Sequence, residues 1–202
     1  MKHALIIGHP DAEGFTQSVA AAYAQTVQGL GHQTVIRDLY RLEFDPRLQS
    51  QERSDRPGYA PASDVVVERQ AIGDADVFAF FYPLWFNMPP AIIKGYVDRV
   101  FGAGFGYRAL HAGGMDPLLK GRSMITFTSS GSSRAWLEEQ GCWLSLRNLF
   151  DDYLARLCGM TVVDHVHFPS ITAGLDKRWV DENLAATVRR AKEAFGGGSE
   201  GH

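Results

Sequence analysis

Five short β-like runs alternate with longer helical ones along this chain, and that alternation most restricts what it can fold into. His3–Gly8 is apolar on both faces, as a central parallel strand is, and Asp76–Tyr82 (DVFAFFY) is a second apolar run. Gln33–Leu39 alternates polar and apolar residues, the pattern of a more exposed, edge-like strand. Arg122–Thr128 and Thr161–Phe168 supply the fourth and fifth strands. Helices are expected over Phe15–Leu30, Asp64–Ile72, Pro90–Phe101, a long stretch Ala135–Cys158, and Lys177–Phe195, with Gly31 and Gly159 at stop positions. Parallel strands joined by helices give an α/β, doubly wound, five-stranded sheet with helices on both faces. Right-handed crossovers leave it few topologies. The order 2-1-3-4-5 sets the carboxyl ends of strands one, three and four side by side, and ligands of open α/β sheets lie there.

The loop at the third strand end is the most informative. The strand breaks at Pro83, Leu84, Trp85 and Phe86 form a rim, and Pro89 and Pro90 start the next helix. A buried strand followed by an amphipathic helix accounts for Val77–Phe81. It does not account for bulky apolar residues that continue through the loop, which suit a flat ligand better than an aqueous turn.

At 202 residues and 45% hydrophobic, the chain is expected to form one domain over 1–195, with a flexible glycine-rich tail over 196–202. A formal charge of −3 without long charge runs excludes a nucleic-acid footprint and a polybasic membrane patch. No apolar segment reaches the ~18 residues that suggest a span, so no membrane insertion is expected. The amino terminus runs straight into a strand, which argues against a secretory leader and for a cytoplasmic setting. Cys142 and Cys158 form no CxxC pair and are read as reduced thiols. His165 and His167 share a strand face as two zinc ligands would. With no third ligand at metal spacing, no metal site is assigned. Tyr40–Ser63, polar and broken by Pro46, Pro57, Gly58 and Pro61, reads as a long excursion of the functional or partly mobile kind.

Three loops leave the three adjacent strand ends. Gly8–Ser18 runs into a helix whose amino terminus offers free N–H groups and partial positive charge for a phosphate, with Thr16 and Ser18 adding hydroxyls. It matches neither GxGxxG nor GxxxxGK[ST], and N-capping by Asp11 or Thr16 explains it equally well. The second loop is the aromatic rim. The third, Thr128–Ser133, is small and rich in donors that can reach the edge of a ring. Together the three make a stronger case for a flavin than any one alone.

These segments carry a resemblance. Ala4–Pro10 with Phe15, Tyr82-Pro-Leu-Trp-Phe-Asn-Met-Pro89, Ala91-Ile-Ile-Lys-Gly-Tyr-Val-Asp-Arg-Val-Phe101 with Gly104–Tyr107, and more loosely Thr128–Gly131 resemble the NAD(P)H:quinone oxidoreductase branch of the flavodoxin-like proteins, the flavodoxin-2 group. The resemblance spans most of residues 3–165. It implies a homodimeric flavoprotein with FAD, or FMN as second choice, that passes two electrons by hydride transfer through flavin N5 from NAD(P)H to a quinone or other flat aromatic acceptor. One pocket shared by donor and acceptor would imply loose substrate choice, with azo dyes or nitroaromatics as further acceptors. The resemblance implies that His9, Phe15, Thr16 and Ser18 hold the phosphate and ribityl portion. Pro83, Leu84, Trp85 and Phe86 would line the ring, and Thr128, Ser129 and Gly131 its polar edge. Phe86, Tyr107 and Trp136 would bound the substrate pocket, Tyr107 being lent across the dimer. Alternatives are a flavin-binding regulatory subunit of a potassium-efflux transporter and a one-electron carrier, the latter disfavoured by a charge of only −3.

The chain also departs from that group. Animal members carry a Tyr and a His after the glycine-rich loop, where Arg134–Cys142 has neither, so no catalytic or proton-relay residue is assigned. Lys94, Asp98 and Arg99 are read as surface or interface ion pairs. Trp136, Trp143 and Phe150 recur every seven residues along one helical face. Trp143 and Phe150 read as core or dimer packing, while for Trp136, nearest the strand end, cofactor stacking is an equal alternative.

Overall fold

The computed structural model describes residues 1–109 and 114–197. Most of the glycine-rich tail, from residue 198 on, lies outside the described residues. In chain order the elements are β1 (Lys2–Ile7), α1 (Phe15–Gly29), β2 (Gln33–Asp38), α2 (Ser63–Ile72), β3 (Val77–Pro83) and α3 (Ala91–Val100). A small hairpin follows, β4 (Tyr107–Ala109) and β5 (Met115–Pro117). The chain then runs through β6 (Ser123–Ser129), α4 (Arg134–Glu139), α5 (Cys142–Leu146), α6 (Tyr153–Cys158), β7 (Thr161–Phe168) and α7 (Lys177–Phe195).

The main sheet is parallel with order β2-β1-β3-β6-β7, which is the expected 2-1-3-4-5 once the hairpin is set aside. β3 lies at its centre, and both of its faces are covered, which is why its sequence does not alternate. Phe81, with Leu5, Ile7 and Phe127, packs against α1 and α7. Phe78, Phe80 and Tyr82 pack on the other side with Ile93, Tyr96 and Val100 of α3 and Leu154 of α6. Each such buried side chain contributes about 1.5–3 kcal/mol. Gly8 ends β1 hard against α3. A Cβ there would lie 2.5 Å from Ile93 Cγ1, so only glycine lets the loop leave at this point.

Several expectations change. The single helix over Ala135–Cys158 is broken. Gly141 turns left-handed (φ 68°) between α4 and α5, and a π-helical stretch, Arg147–Asp152, joins α5 to α6. The wider turn upsets the seven-residue register, so the three aromatic residues form no common stripe. Trp136 is exposed, Trp143 rests on two histidine rings, and Phe150 enters the core beside Phe80 and Tyr82. The hairpin after α3 has strands of three residues, too short for any periodicity to announce.

The excursion over residues 40–63 is tied down rather than mobile. Arg99, read as part of a surface or interface ion pair, is buried. Its guanidinium bonds both carboxylate oxygens of Glu52, both of Asp64 and the Asp45 carbonyl. Lys94–Asp98, by contrast, is the exposed i,i+4 pair its spacing predicts.

Candidate active site

The carboxyl ends of β1, β3 and β6 lie together. Ile7 pairs with Phe81 and Pro83 with Ser129, while the Leu84 N–H donates to the Ser129 carbonyl at 2.7 Å. Above them opens a cleft of about 240 Å³ lined by His9, Phe15, Thr16, Pro83, Leu84, Trp85, Ser129, Ser130, Gly131 and Ile171. Its two ends differ in chemistry. At one, α1 begins at Gly14 with no side-chain cap and no acid in its first turn. The Phe15, Thr16 and Gln17 N–H groups therefore have no acceptor among the described residues, the arrangement that binds a phosphate. At the other, Pro83, Leu84 and Trp85 make an apolar wall opposite the Ser129–Gly131 backbone, and the Gly131 N–H has no acceptor among the described residues. His9 stands at the mouth. Its Nδ1 accepts from the Asp11 N–H at 3.1 Å and its ring lies 6.3 Å from that of Trp85. An anion cradle joined to an apolar slot with a polar edge fits a flavin: phosphate, ring and ring carbonyls each meet their own chemistry.

The sequence over residues 1–194 matches the Flavodoxin_2 family, described by its flavodoxin-like fold. The chain belongs to that family. An uncharacterised NAD(P)H oxidoreductase of Haemophilus influenzae is 33% identical over 194 residues, covering 95% of this chain and 96% of the relative. The structure of an NAD(P)H:quinone oxidoreductase from Methanothermobacter marburgensis is similar with a TM-score of 0.81 at 27% identity, over 100% of this chain and 97% of that one. An FMN-dependent NADH-azoreductase from Bacillus anthracis, solved in complex with FMN, has a TM-score of 0.69 over 95% of this chain and 98% of that one. At 20% identity it shares the fold.

Within this Flavodoxin_2 chain, His9, Phe15, Thr16, Pro83, Leu84, Trp85, Ser129 and Gly131 come together as expected. Five other expected site residues do not line the cleft. Ser18 sits a turn into α1, where its hydroxyl donates back to the Gly14 carbonyl at 2.8 Å. The Thr128 side chain points through the sheet, bonded to His165 Nε2 at 2.7 Å and His167 Nδ1 at 2.9 Å. Phe86 stands 96% exposed at the tip of its turn. Trp136 is on the outer side of α4, and Tyr107 lines a separate groove of about 200 Å³ between α3 and the α5–α6 region.

Two lining residues escaped the sequence reading. Ser130 lies between two residues that were picked, so the loop gave the signal. Ile171 follows β7, the neighbour of β6, and only three strand ends had been considered. Among the described residues no group of three His, Cys, Asp or Glu side chains is set to hold a metal, and no helix is long and apolar enough to cross a membrane.

Proposed function

We propose that this chain is a flavin-dependent NAD(P)H:quinone oxidoreductase, working as a cytoplasmic homodimer. The observation that carries the reading is the cleft itself, where an uncapped helix terminus adjoins an apolar wall and a donor edge. A bound flavin would supply the two-electron redox chemistry. The chain supplies position. The first-turn N–H groups of α1 and the Thr16 hydroxyl hold the phosphate end. Pro83, Leu84 and Trp85 fix the ring plane and exclude water from one face, while the Ser129–Gly131 backbone donates to the ring edge. Nicotinamide and acceptor then use the same open side in turn, which makes acceptor choice loose. FAD follows from the resemblance, and FMN from the azoreductase with the same fold.

The homodimer would cover the exposed Leu149 and Tyr153 and enclose the groove that holds Tyr107, bringing that ring towards the partner's cleft.

Purified protein should be yellow, release a flavin whose mass decides between FAD and FMN, and oxidise NADH or NADPH only when a quinone is present. Trp85→Ala should weaken flavin binding on the order of 10-fold, the worth of one aromatic contact. Protein that stays colourless after incubation with both flavins would end this reading.

A further inference from the structure

Behind the cleft, on the other face of β6, a line of buried polar side chains runs inward. Ser130 Oγ, at the cleft wall, lies 3.1 Å from His167 Nε2. His167 Nδ1 is 2.9 Å from Thr128 Oγ1, which is 2.7 Å from His165 Nε2. His165 Nδ1 is 2.5 Å from Asp151 Oδ2, and the other Asp151 oxygen accepts from Thr126 Oγ1 at 2.9 Å. Asp151 is fully buried and the rest are nearly so, under Trp143, whose ring is 4.8 Å from that of His165. The π-helical stretch of residues 147–152 carries Asp151 to this position, a helix irregularity often found at functional sites. A core of this polarity is costly unless every member is matched.

Ser130 has two acceptors for its one proton, the Ser132 carbonyl at 3.2 Å and His167 Nε2. Each choice defines a complete chain. If Ser130 donates to Ser132, its oxygen accepts from His167 Nε2–H. His167 Nδ1 then accepts from Thr128, Thr128 accepts from His165 Nε2–H, and His165 and Asp151 share one further proton. If Ser130 donates to His167, every bond reverses, His165 keeps only its Nδ1 proton, and Asp151 is a carboxylate without a cationic partner. The two arrangements differ by one proton. With nothing charged in the cleft the first is favoured, because it leaves the buried carboxylate neutralised.

We propose that Asp151, His165, Thr128, His167 and Ser130 form a one-proton relay that protonates the acceptor in the cleft. The role rests on the oxidoreductase reading, since hydride transfer to a quinone leaves an oxyanion one proton short. The Ser130 O–H bond breaks as the acceptor O–H bond forms. Ser130 takes the His167 Nε2 proton, His167 Nδ1 takes the Thr128 proton, and Thr128 takes the His165 Nε2 proton. No electrons move along the chain, and a water proton entering at Ser130 resets it.

The charged and titratable groups that face the relay from neighbouring elements are Tyr82 of β3 and Arg134 of α4. The Tyr82 hydroxyl is buried without a partner among the described residues, and burial and Asp151 hold it neutral. The Arg134 guanidinium lies 4.1 Å from the centre of the Trp143 ring. Burial first, then His165 and Arg134, bring His167 down to about 4, so it serves as a neutral conductor rather than a store. Thr128 and His167, which line no part of the cleft opening, thereby act on it through Ser130.

The test uses nitrogen NMR of the histidine rings in flavin-free protein. Near neutral pH the His167 ring should carry its proton on Nε2 alone. Loss of the relay proton as pH rises should move it to Nδ1, as the bonds through Thr128 reverse. Thr128→Val, similar in shape, should abolish that concerted change. A second variant, Ser130→Ala, removes only the exit. In flavin-loaded protein both should slow reoxidation by a water-soluble benzoquinone on the order of 100-fold, and far more than they slow reduction by NAD(P)H. A His167 ring that keeps one tautomer throughout, or reoxidation unaltered in both variants, overturns the relay. Protein that binds no flavin overturns the oxidoreductase reading alone, and the relay is then judged by the titration.

Discussion

The segment of residues 40–63 and the turn Trp85–Met88 invert what their compositions lead one to expect. The first is polar, proline-broken and long, yet it is fastened to α3 by a buried guanidinium. The second is short and apolar, yet it stands in solvent, with Trp85 43%, Phe86 96% and Met88 62% exposed. Its two central residues, Phe86 and Asn87, both have positive φ (52° and 58°), and Trp85 and Met88 exchange two backbone hydrogen bonds at 3.1 Å. Such a turn favours Asn or Gly at its centre, and Phe86 is a poor occupant. The fold therefore secures the polar segment with charge and leaves the aromatic one strained and uncovered. Secured segments build the scaffold.

Removing one partner of the buried ion pair should have the largest effect. Glu52→Ala leaves Arg99 facing Asp64 alone and should destabilise the protein by about 3–5 kcal/mol, measured by urea unfolding. It should also open the Arg53 and Arg56 bonds to trypsin. A trypsin pattern like that of the unmutated protein would show that the segment is held by something else. The same pair predicts an acid response. Burial alone would raise Glu52, but bonds from Arg99 and from the Gln49 and Ala62 N–H groups outweigh it, and its pKa lies below the ordinary value. Its stabilisation is therefore complete above the ordinary glutamate range and is lost as pH falls through the lowered folded value. Trypsin sensitivity at Arg53 should rise in that window, and Glu52→Gln should show no such pH dependence.

A smaller effect is expected where the segment touches α3. A Cβ on Gly95 would lie 2.2 Å from the Pro46 carbonyl oxygen, so Gly95→Ala must push the segment away or bend the helix. A loss of about 1–3 kcal/mol follows from overpacking. Unfolding midpoints compare it with Gly29→Ala, where nothing lies within 4 Å of the added carbon. Equal costs at both sites would mean that the close approach to Pro46 is not what fixes the segment.

These contacts mark how far the sequence could be read. β7 and α7 were legible to the residue. The parallel sheet followed from alternation, because parallel strands buried on both faces are apolar throughout, and its order was one of the few topologies left. Most of the cleft was legible too, since its residues follow strand ends. Arg99 was not, because helical spacing pairs Lys94 with Asp98, four residues apart, but does not see Glu52, 47 residues from Arg99. The His165–Asp151 contact was hidden for a related reason. Two histidines on one strand face look like half a metal site until the π-helical stretch brings a carboxylate against one of them and β6 sets a threonine between the pair.

The smallest effect separates strain from function at the turn. Phe86 holds φ at 52° while nearly all its surface is in water, so in the isolated chain its side chain contributes no packing that offsets the backbone cost. Phe86→Gly should therefore leave stability unchanged or raise it by about 1 kcal/mol, since glycine adopts this conformation without the left-handed penalty. If the exposed ring serves acceptor binding, the same substitution should raise KM for the quinone several-fold and leave the rate of flavin reduction by NAD(P)H as it was. Lower stability would mean that the ring packs against something within the folded protein. Unchanged KM with raised stability would leave the strain without a use, and the aromatic rim would then end at Trp85.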